Sequence, residues 1–172
     1  MTRSIWVVRH AKSDWSDGAL SDFERPLNAR GQRDCEGMQP FLRAQKLPAQ
    51  WLWHSPAVRA VATAAAVARG FEIEPSQVVE ADLYLASASQ ALECLRATPP
   101  DVDHVAVVFH NPGASELAQR LLQEPAEINM PTFGIAHVTF DGPWASLAFG
   151  QATVQQITSP KALKRQHDQE SP

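Results

Sequence analysis

Arg9 and His10 stand together directly after the apolar run Ile5-Trp6-Val7-Val8. A neutral imidazole can attack phosphorus, and a neighbouring guanidinium can hold phosphoryl oxygens in a planar fork. Two other positions give the pair its meaning. Arg59 lies one turn into a helical stretch that follows the apolar segment 51–54, and His110 directly follows the apolar segment 105–109. Each apolar run reads as a buried strand. In a parallel sheet the carboxyl ends of the strands share one edge, where open α/β sheets place their crevices. Two arginines and two histidines at that edge form a cationic cluster whose natural ligand is a phosphoryl group. A zinc reading of His10, His54, His104 and His110 lacks matching cysteine or carboxylate spacing. His104 also belongs at the opposite end of its strand from His110.

The elements that must position these residues alternate between strand and helix. Residues 4–8 are the first predicted strand, and 12–26 are a polar loop containing Gly18. Asn28 is placed to cap a helix reaching about residue 45, with Leu27 as its staple. Cys35, Met38, Phe41 and Leu42 form its apolar stripe, and Pro40 predicts a kink. After the strand 51–54, Ser55 and Pro56 fit the N-cap and first position of an alanine-rich helix ending at Gly70. Residues 78–81 are a third strand, 87–97 a helix, 104–109 a strongly apolar strand and 112–123 a helix. Segments 135–140 and 145–149 pattern as a hairpin around Asp141-Gly142-Pro143. The residues from Lys161 are polar and predicted to be loose. The expected fold is an α/β three-layer sandwich with a largely parallel central sheet and helices on both faces. One domain spans residues 1–160, followed by a polar tail, 161–172.

Of the 172 residues, 44% are hydrophobic and 20% charged, and the net charge is −4. That is the make-up of a single globular domain with a sizeable core. A negative net charge gives no general attraction to nucleic acid or anionic membrane, so a basic site must be local. No apolar stretch approaches the roughly 20 residues of a membrane span, and residues 1–4 lack the features of a signal peptide. The only two cysteines, Cys35 and Cys94, fall in helix-like apolar surroundings and read as buried free thiols. These features predict a reducing, cytoplasmic setting and a monomer.

The sequence resembles the histidine phosphatase superfamily. Its signature is Arg-His at the end of the first strand, here Val8-Arg9-His10-Ala11. The second family arginine resembles Arg59 in Ser55-Pro56-Ala57-Val58-Arg59-Ala60, followed by Thr63-Ala64, and the second family histidine resembles His110 in His110-Asn111-Pro112-Gly113. The segment Ser21-Asp22-Phe23-Glu24-Arg25-Pro26-Leu27, followed by Gly31, is similar to the short SixA-type branch, the phosphohistidine phosphatases. The resemblance runs from Ser4 to about Leu163. It implies a phosphoglycerate-mutase-like fold without a large lid subdomain. The residue after His10 is alanine where the wider family more often has glycine. The glutamate that sugar-phosphate mutases use as an acid has no unambiguous match, although Glu80 and Asp82 lie in the corresponding region.

The resemblance implies that His10 is the nucleophile of a hydrolase passing through a phosphohistidine intermediate. Arg9, Arg25, Arg59 and a protonated or donating His110 would bind the phosphoryl oxygens. Asp82 is the expected proton donor, with Glu80 second and the loop residues Asp14, Asp17 and Asp22 in reach. No metal or other cofactor is implied, because the arginines supply the positive charge. The expected substrate is phosphohistidine in a protein, with inorganic phosphate as product. The alternatives are a small-molecule phosphomonoesterase and a non-catalytic phosphate-binding module. Lys12, Ser13 and Trp15 read equally as a solvated loop and as a rim for a phosphorylated protein or peptide. Trp51 and Trp53 read as packing residues, and Ser55 and Asn111 as caps before site groups.

Overall fold

In a computed structural model, which describes residues 1–72 and 76–170, the run that ends in Arg9 is strand β1, Thr2–Arg9. Its residues Ile5, Trp6, Val7 and Val8 are all buried, as expected of a strand covered on both faces. The chain continues through α1 (Ala29–Gly37), α2 (Gln39–Arg43), β2 (Trp51–His54), α3 (Val58–Gly70), β3 (Ser76–Val79), α4 (Ala88–Arg96), β4 (His104–Phe109), α5 (Gly113–Leu121), β5 (Ile135–Asp141), β6 (Thr153–Thr158) and α6 (Pro160–Glu170). The six strands form one sheet in the order β3-β2-β4-β1-β5-β6. The first four of that order are mutually parallel; β5 and β6 are antiparallel. This is the largely parallel α/β sheet that the alternation predicts, and no large lid interrupts it among the described residues.

Alternation along the strands divides the core into two layers. Trp6 and Val8 of β1 join Ala106 and Val108 of β4 against Met38, Leu42, Ala64 and Val67 of the first three helices. Ile5 and Val7 join Val105, Val107 and Phe109 against Leu92, Leu95, Leu117 and Leu121 of α4 and α5. The central strands are thereby clamped from both sides, and their carboxyl ends are held in fixed register. Arg9 lies opposite Phe109, and His54 opposite Val108. The ladder runs one residue further at each end: His10 N donates to Phe109 O and Ser55 N to Val108 O, both at 3.0 Å.

Four expectations need correction. The helix from Asn28 divides at Met38, because Pro40 has no N–H to continue the ladder and instead sits in the first turn of α2; Asn28 itself caps α1 as expected, accepting from Gly31 N at 2.8 Å. The alanine-rich helix begins at Val58 with Ala57 as its N-cap, and the Ser55 hydroxyl closes the turn ahead of it by accepting from Ala57 N at 3.2 Å. Its last residue is Gly70, which is not a cap beyond the helix: a Cβ there would lie 2.5 Å from Leu42, so glycine permits close helix packing. The stretch 145–149 is not a strand. Trp144–Ser146 form a 3-10 turn that buries the Trp144 ring, whose Nε1 donates to Val102 O at 2.6 Å, and β5 pairs instead with β6. Finally, the polar stretch from Lys161 is helical as far as Glu170; its last residues, Ser171 and Pro172, lie outside the described residues. Leu163 packs on the core, and Lys164 pairs with the buried Asp34 at 3.7 Å.

The long loop predicted over 12–26 is pinned at its base. Ser13 and Leu27 form an isolated bridge, Asp14 N donates to Pro26 O, and Asn28 N donates to Lys12 O. Gly31 makes this closure possible, since a Cβ there would lie 2.2 Å from the Lys12 carbonyl oxygen. Gly31→Ala should therefore destabilise the chain by about 2–3 kcal/mol, the range of an overpacked contact with backbone. Urea unfolding measures this, and a loss below about 0.5 kcal/mol, the usual scale of a neutral surface change, would contradict the close approach.

Candidate active site

The carboxyl ends of β1, β4 and β2 bring Arg9, His10, Arg59 and His110 into one cleft of about 310 Å³, which Lys12, Trp15, Asp22, Arg25, Leu85 and Asn111 also line. His10 is buried. Its Nδ1 lies 2.7 Å from the carbonyl of Ala11, so it carries the proton and donates. Nε2 is then the lone-pair nitrogen, and it accepts from Arg59 Nε at 3.3 Å. Burial is the largest influence on this imidazole and lowers its pKa; Arg59, Arg9 and Arg25 lower it further, against the Ala11 hydrogen bond, to about 4. At neutral pH the ring is uncharged, which is the state a nucleophile needs.

Arg59 organises both histidines. Its Nη2 lies 3.3 Å from His110 Nδ1, and a guanidinium only donates, so Nδ1 is unprotonated. His110 Nε2–H therefore donates to the Ser55 hydroxyl at 2.7 Å. Burial first, then His10, Arg59 and Arg25, push the His110 pKa down to about 3, while Asp22 opposes them. In this arrangement His110 is neutral, not the protonated donor that the family resemblance allows. The two rings stand 5.1 Å apart between centroids. Thr63 fixes the helix that carries Arg59: its hydroxyl accepts from Ala11 N at 2.9 Å and donates to Arg59 O at 2.7 Å.

Arg9 donates through Nη1 to Met130 O at 3.0 Å, while its Nε is buried without a partner. Arg25, delivered by the long loop, is buried under the Trp15 ring, with the guanidinium carbon 3.5 Å from the ring centroid. Its Nη1 donates to Ser13 Oγ at 2.7 Å. Between Arg25 and Arg59 lies Asp22. One carboxylate oxygen accepts from Arg25 Nη2 at 2.6 Å; the other accepts from Arg59 Nη2 at 3.0 Å and from the Tyr84 hydroxyl at 2.7 Å. Arg59 Nη1 also donates to the Asp22 carbonyl. Burial works to raise the Asp22 pKa, but hydrogen bonds from Arg25, Tyr84 and Arg59 hold it well below the usual carboxylate range. The Tyr84 hydroxyl is pushed above its ordinary value, first by its bond to Asp22 and then by burial, so it keeps its proton.

The other carboxylates named from the sequence stay out of the cleft. Asp82 is exposed in the 3-10 turn Ala81–Leu83, and Glu80 caps that turn by accepting from Asp82 N at 3.1 Å. Asp14 and Asp17 close local turns with Ser16 N and Ala19 N. The loop thus delivers Asp22 alone among them, and delivers it ionised. His54 turns to the carbonyl of Ser55, and His104 bonds Ser4 Oγ at the far end of the sheet. Trp53 packs in the core with its Nε1 on Thr98. Asn111 holds the first turn of α5 by accepting from Ser115 N at 3.1 Å, and also lines the cleft. Ser55 caps no helix; its hydroxyl orients His110. Tyr84 and Met130 had no signal in the sequence read alone, since their contributions are a loop-borne hydroxyl and a main-chain carbonyl.

Comparison with known proteins places the fold and the family. Residues 5–83 match the model of the histidine phosphatase superfamily, branch 1. An uncharacterized protein of Mycobacterium tuberculosis is 31% identical over 163 residues, covering 90% of this chain and 100% of that protein. Among solved structures, the protein histidine phosphatase SixA complexed with tungstate superposes with a TM-score of 0.79 at 26% identity, covering 93% of this chain and 99% of that one. A candidate phosphohistidine phosphatase SixA from Nakamurella multipartitia gives 0.81 at 25% identity, covering 93% and 97%. The fold also matches a mycobacterial glucosyl-3-phosphoglycerate phosphatase, with a TM-score of 0.66 at 13% identity over 90% of this chain and 98% of that one. With an Arg-His pair at the end of β1, an arginine on α3 and a histidine after β4 sharing one cleft, this chain belongs to the histidine phosphatase superfamily.

Proposed function

We propose that this chain is a phosphatase in which His10 Nε2 takes the phosphoryl group, and that its substrate is phosphohistidine in proteins. The observation that carries the reading is that, among the described residues lining the cleft, the one carboxylate beside His10 and the arginines is Asp22, and it is bound by Arg25, Arg59 and the Tyr84 hydroxyl. His10 Nε2 attacks phosphorus as the bond from phosphorus to the substrate nitrogen breaks, and the departing imidazole keeps that electron pair. Water then attacks phosphorus, the bond to Nε2 breaks, and phosphate leaves with His10 restored. Arg9, Arg25, Arg59 and His110 receive the charge spread over the phosphoryl oxygens. His110 is neutral beside Arg59, and the reading requires that a seated anion favour its protonation before the ring can donate to a phosphoryl oxygen.

An alkoxide leaving group needs a proton from an acid. Asp22 stays ionised, Asp82 and Glu80 lie outside the cleft, and the Tyr84 hydroxyl gives its hydrogen to Asp22. A phosphoramidate supplies its own good leaving group, since its imidazole is readily protonated on the free nitrogen. The exposed rim residues Trp15 and Leu85, 71% and 63% accessible, leave the cleft open to a bulky substrate. The small-molecule alternative lacks such an acid, and a retained nucleophile and clamp favour catalysis over passive binding.

Three outcomes test the reading. His10→Ala should abolish turnover and remove the acid-labile, base-stable phosphoryl adduct seen on rapid quenching; turnover equal to that of the unaltered chain would end the proposal. Arg59→Ala should lower kcat about 10²–10³-fold, the loss of a preorganised charge-stabilising donor, and phosphohistidine should be turned over far faster than phosphoserine. Because burial and the arginines lower the His10 pKa to about 4, its proton leaves as pH rises through that value, and the ring is neutral from about pH 5 upward. The His10 ring-proton NMR signal should titrate near 4, and a midpoint near 6.5 would show that the cluster does not hold it neutral.

A further inference from the structure

We infer that Asp22 is an internal competitor for the phosphoryl seat: its carboxylate holds the faces of Arg59 and Arg25 that a phosphoryl group needs, and a ligand must displace it. The inference rests on reading the cleft as a phosphoryl site. Every nitrogen of the Arg59 guanidinium already donates, Nε to His10, Nη1 to the Asp22 carbonyl, and Nη2 to the Asp22 carboxylate and His110. Arg25 is equally engaged, with Nε and Nη2 on Asp22 Oδ1 at 3.3 and 2.6 Å and Nη1 on Ser13. Neither can present a two-pronged fork to phosphate oxygens while Asp22 stays in place. Arg9 differs, since its Nε is buried without a partner and its Nη1 is held only by the Met130 carbonyl.

Asp22 is suited to exchange. Its side chain is 42% exposed and rides on a loop, and its bond from Tyr84 gives it a hold that is independent of the arginines. A carboxylate and a phosphoryl group accept the same bidentate pattern from guanidinium, but a phosphoryl dianion carries twice the charge. The exchange therefore favours doubly charged phosphoryl groups over singly charged anions, and it weakens retention of inorganic phosphate after hydrolysis. Asp22 on this view sets specificity and product affinity without entering the chemical step.

Titration calorimetry with inorganic phosphate and with tungstate tests this on the full chain. Asp22→Asn keeps the shape and removes the charge, so both anions should bind about tenfold tighter, the worth of one charge-assisted hydrogen bond. Thermal stability should fall in the same variant, because two buried guanidinium groups lose their counter-ion. A role confined to holding the arginines in shape would move affinity and stability downward together. Tyr84→Phe leaves the charge and loosens its hold, and should tighten binding about threefold; it carries the test if Asp22→Asn fails to fold. Equal or weaker anion binding by the folded variants overturns this inference and leaves the phosphatase reading standing. No anion binding by the unaltered chain overturns both.

Discussion

The guanidinium of Arg59 is the group on which the rest of the site depends. It is 2% exposed, and a charge so far from water must be matched by acceptors on every side. It finds them in His10 Nε2, His110 Nδ1 and Asp22. Because a guanidinium can only donate, each contact fixes the proton on the group it touches. Both imidazoles are held in one tautomer, and the carboxylate is held ionised. The position of one helix turn thus decides the protonation of three other side chains.

That turn is placed by packing that is not itself polar. α3 lies on the sheet through Ala64 and Val67, and Thr63 bridges its backbone to Ala11 N beside His10. Parallel pairing of β1 with β4 and of β4 with β2 fixes the heights of His10, His110 and Ser55. The long loop then closes the cleft because Arg59 and Arg25 need a counter-ion, and Asp22 supplies one. Phe23 takes part on both sides of this closure: its carbonyl accepts from Val58 N at the start of α3, and its ring meets Tyr84 edge-on at 5.2 Å. The loop is accordingly a bonded part of the site and not a solvated connection.

This division explains what the sequence could convey. Arg9, His10, Arg59 and His110 follow or flank apolar runs, so strand reading and the carboxyl-edge rule together place them without any knowledge of contacts. Asp22 was one of several acidic residues in reach, and its choice over Asp82 depends on the course of a loop that periodicity does not describe. Ser55 reads as a cap because Ser-Pro commonly opens helices, but α3 starts at Val58 and the hydroxyl serves both Ala57 N and the His110 imidazole, which no local pattern reports. β6 escapes pattern reading since Gln155 and Gln156 interrupt any alternation on an exposed edge strand, and Trp144 took the core position that a strand at 145–149 would have needed. α6 looks like a tail by composition; Leu163 on the core and the ion pair of Lys164 with Asp34 help to dock it.

The same arginines impose opposite demands on the chemistry. Their charge adds to burial in keeping His10 neutral, the form that the proposed attack on phosphorus requires. Their charge also keeps any carboxylate nearby ionised, as Asp22 shows, and an ionised carboxylate cannot protonate a leaving group. On the proposed reading, burial and guanidinium charge together favour a neutral imidazole as nucleophile, while the same charge with the Tyr84 hydroxyl denies the cleft a carboxylic acid. If the cleft works as proposed, what it can cleave is decided by the substrate, which must bring a leaving group able to depart without help. The nitrogen of an imidazole meets that condition and a serine alkoxide does not, so under the proposed function a clamp able to bind any phosphoryl group would still discriminate among the bonds it breaks.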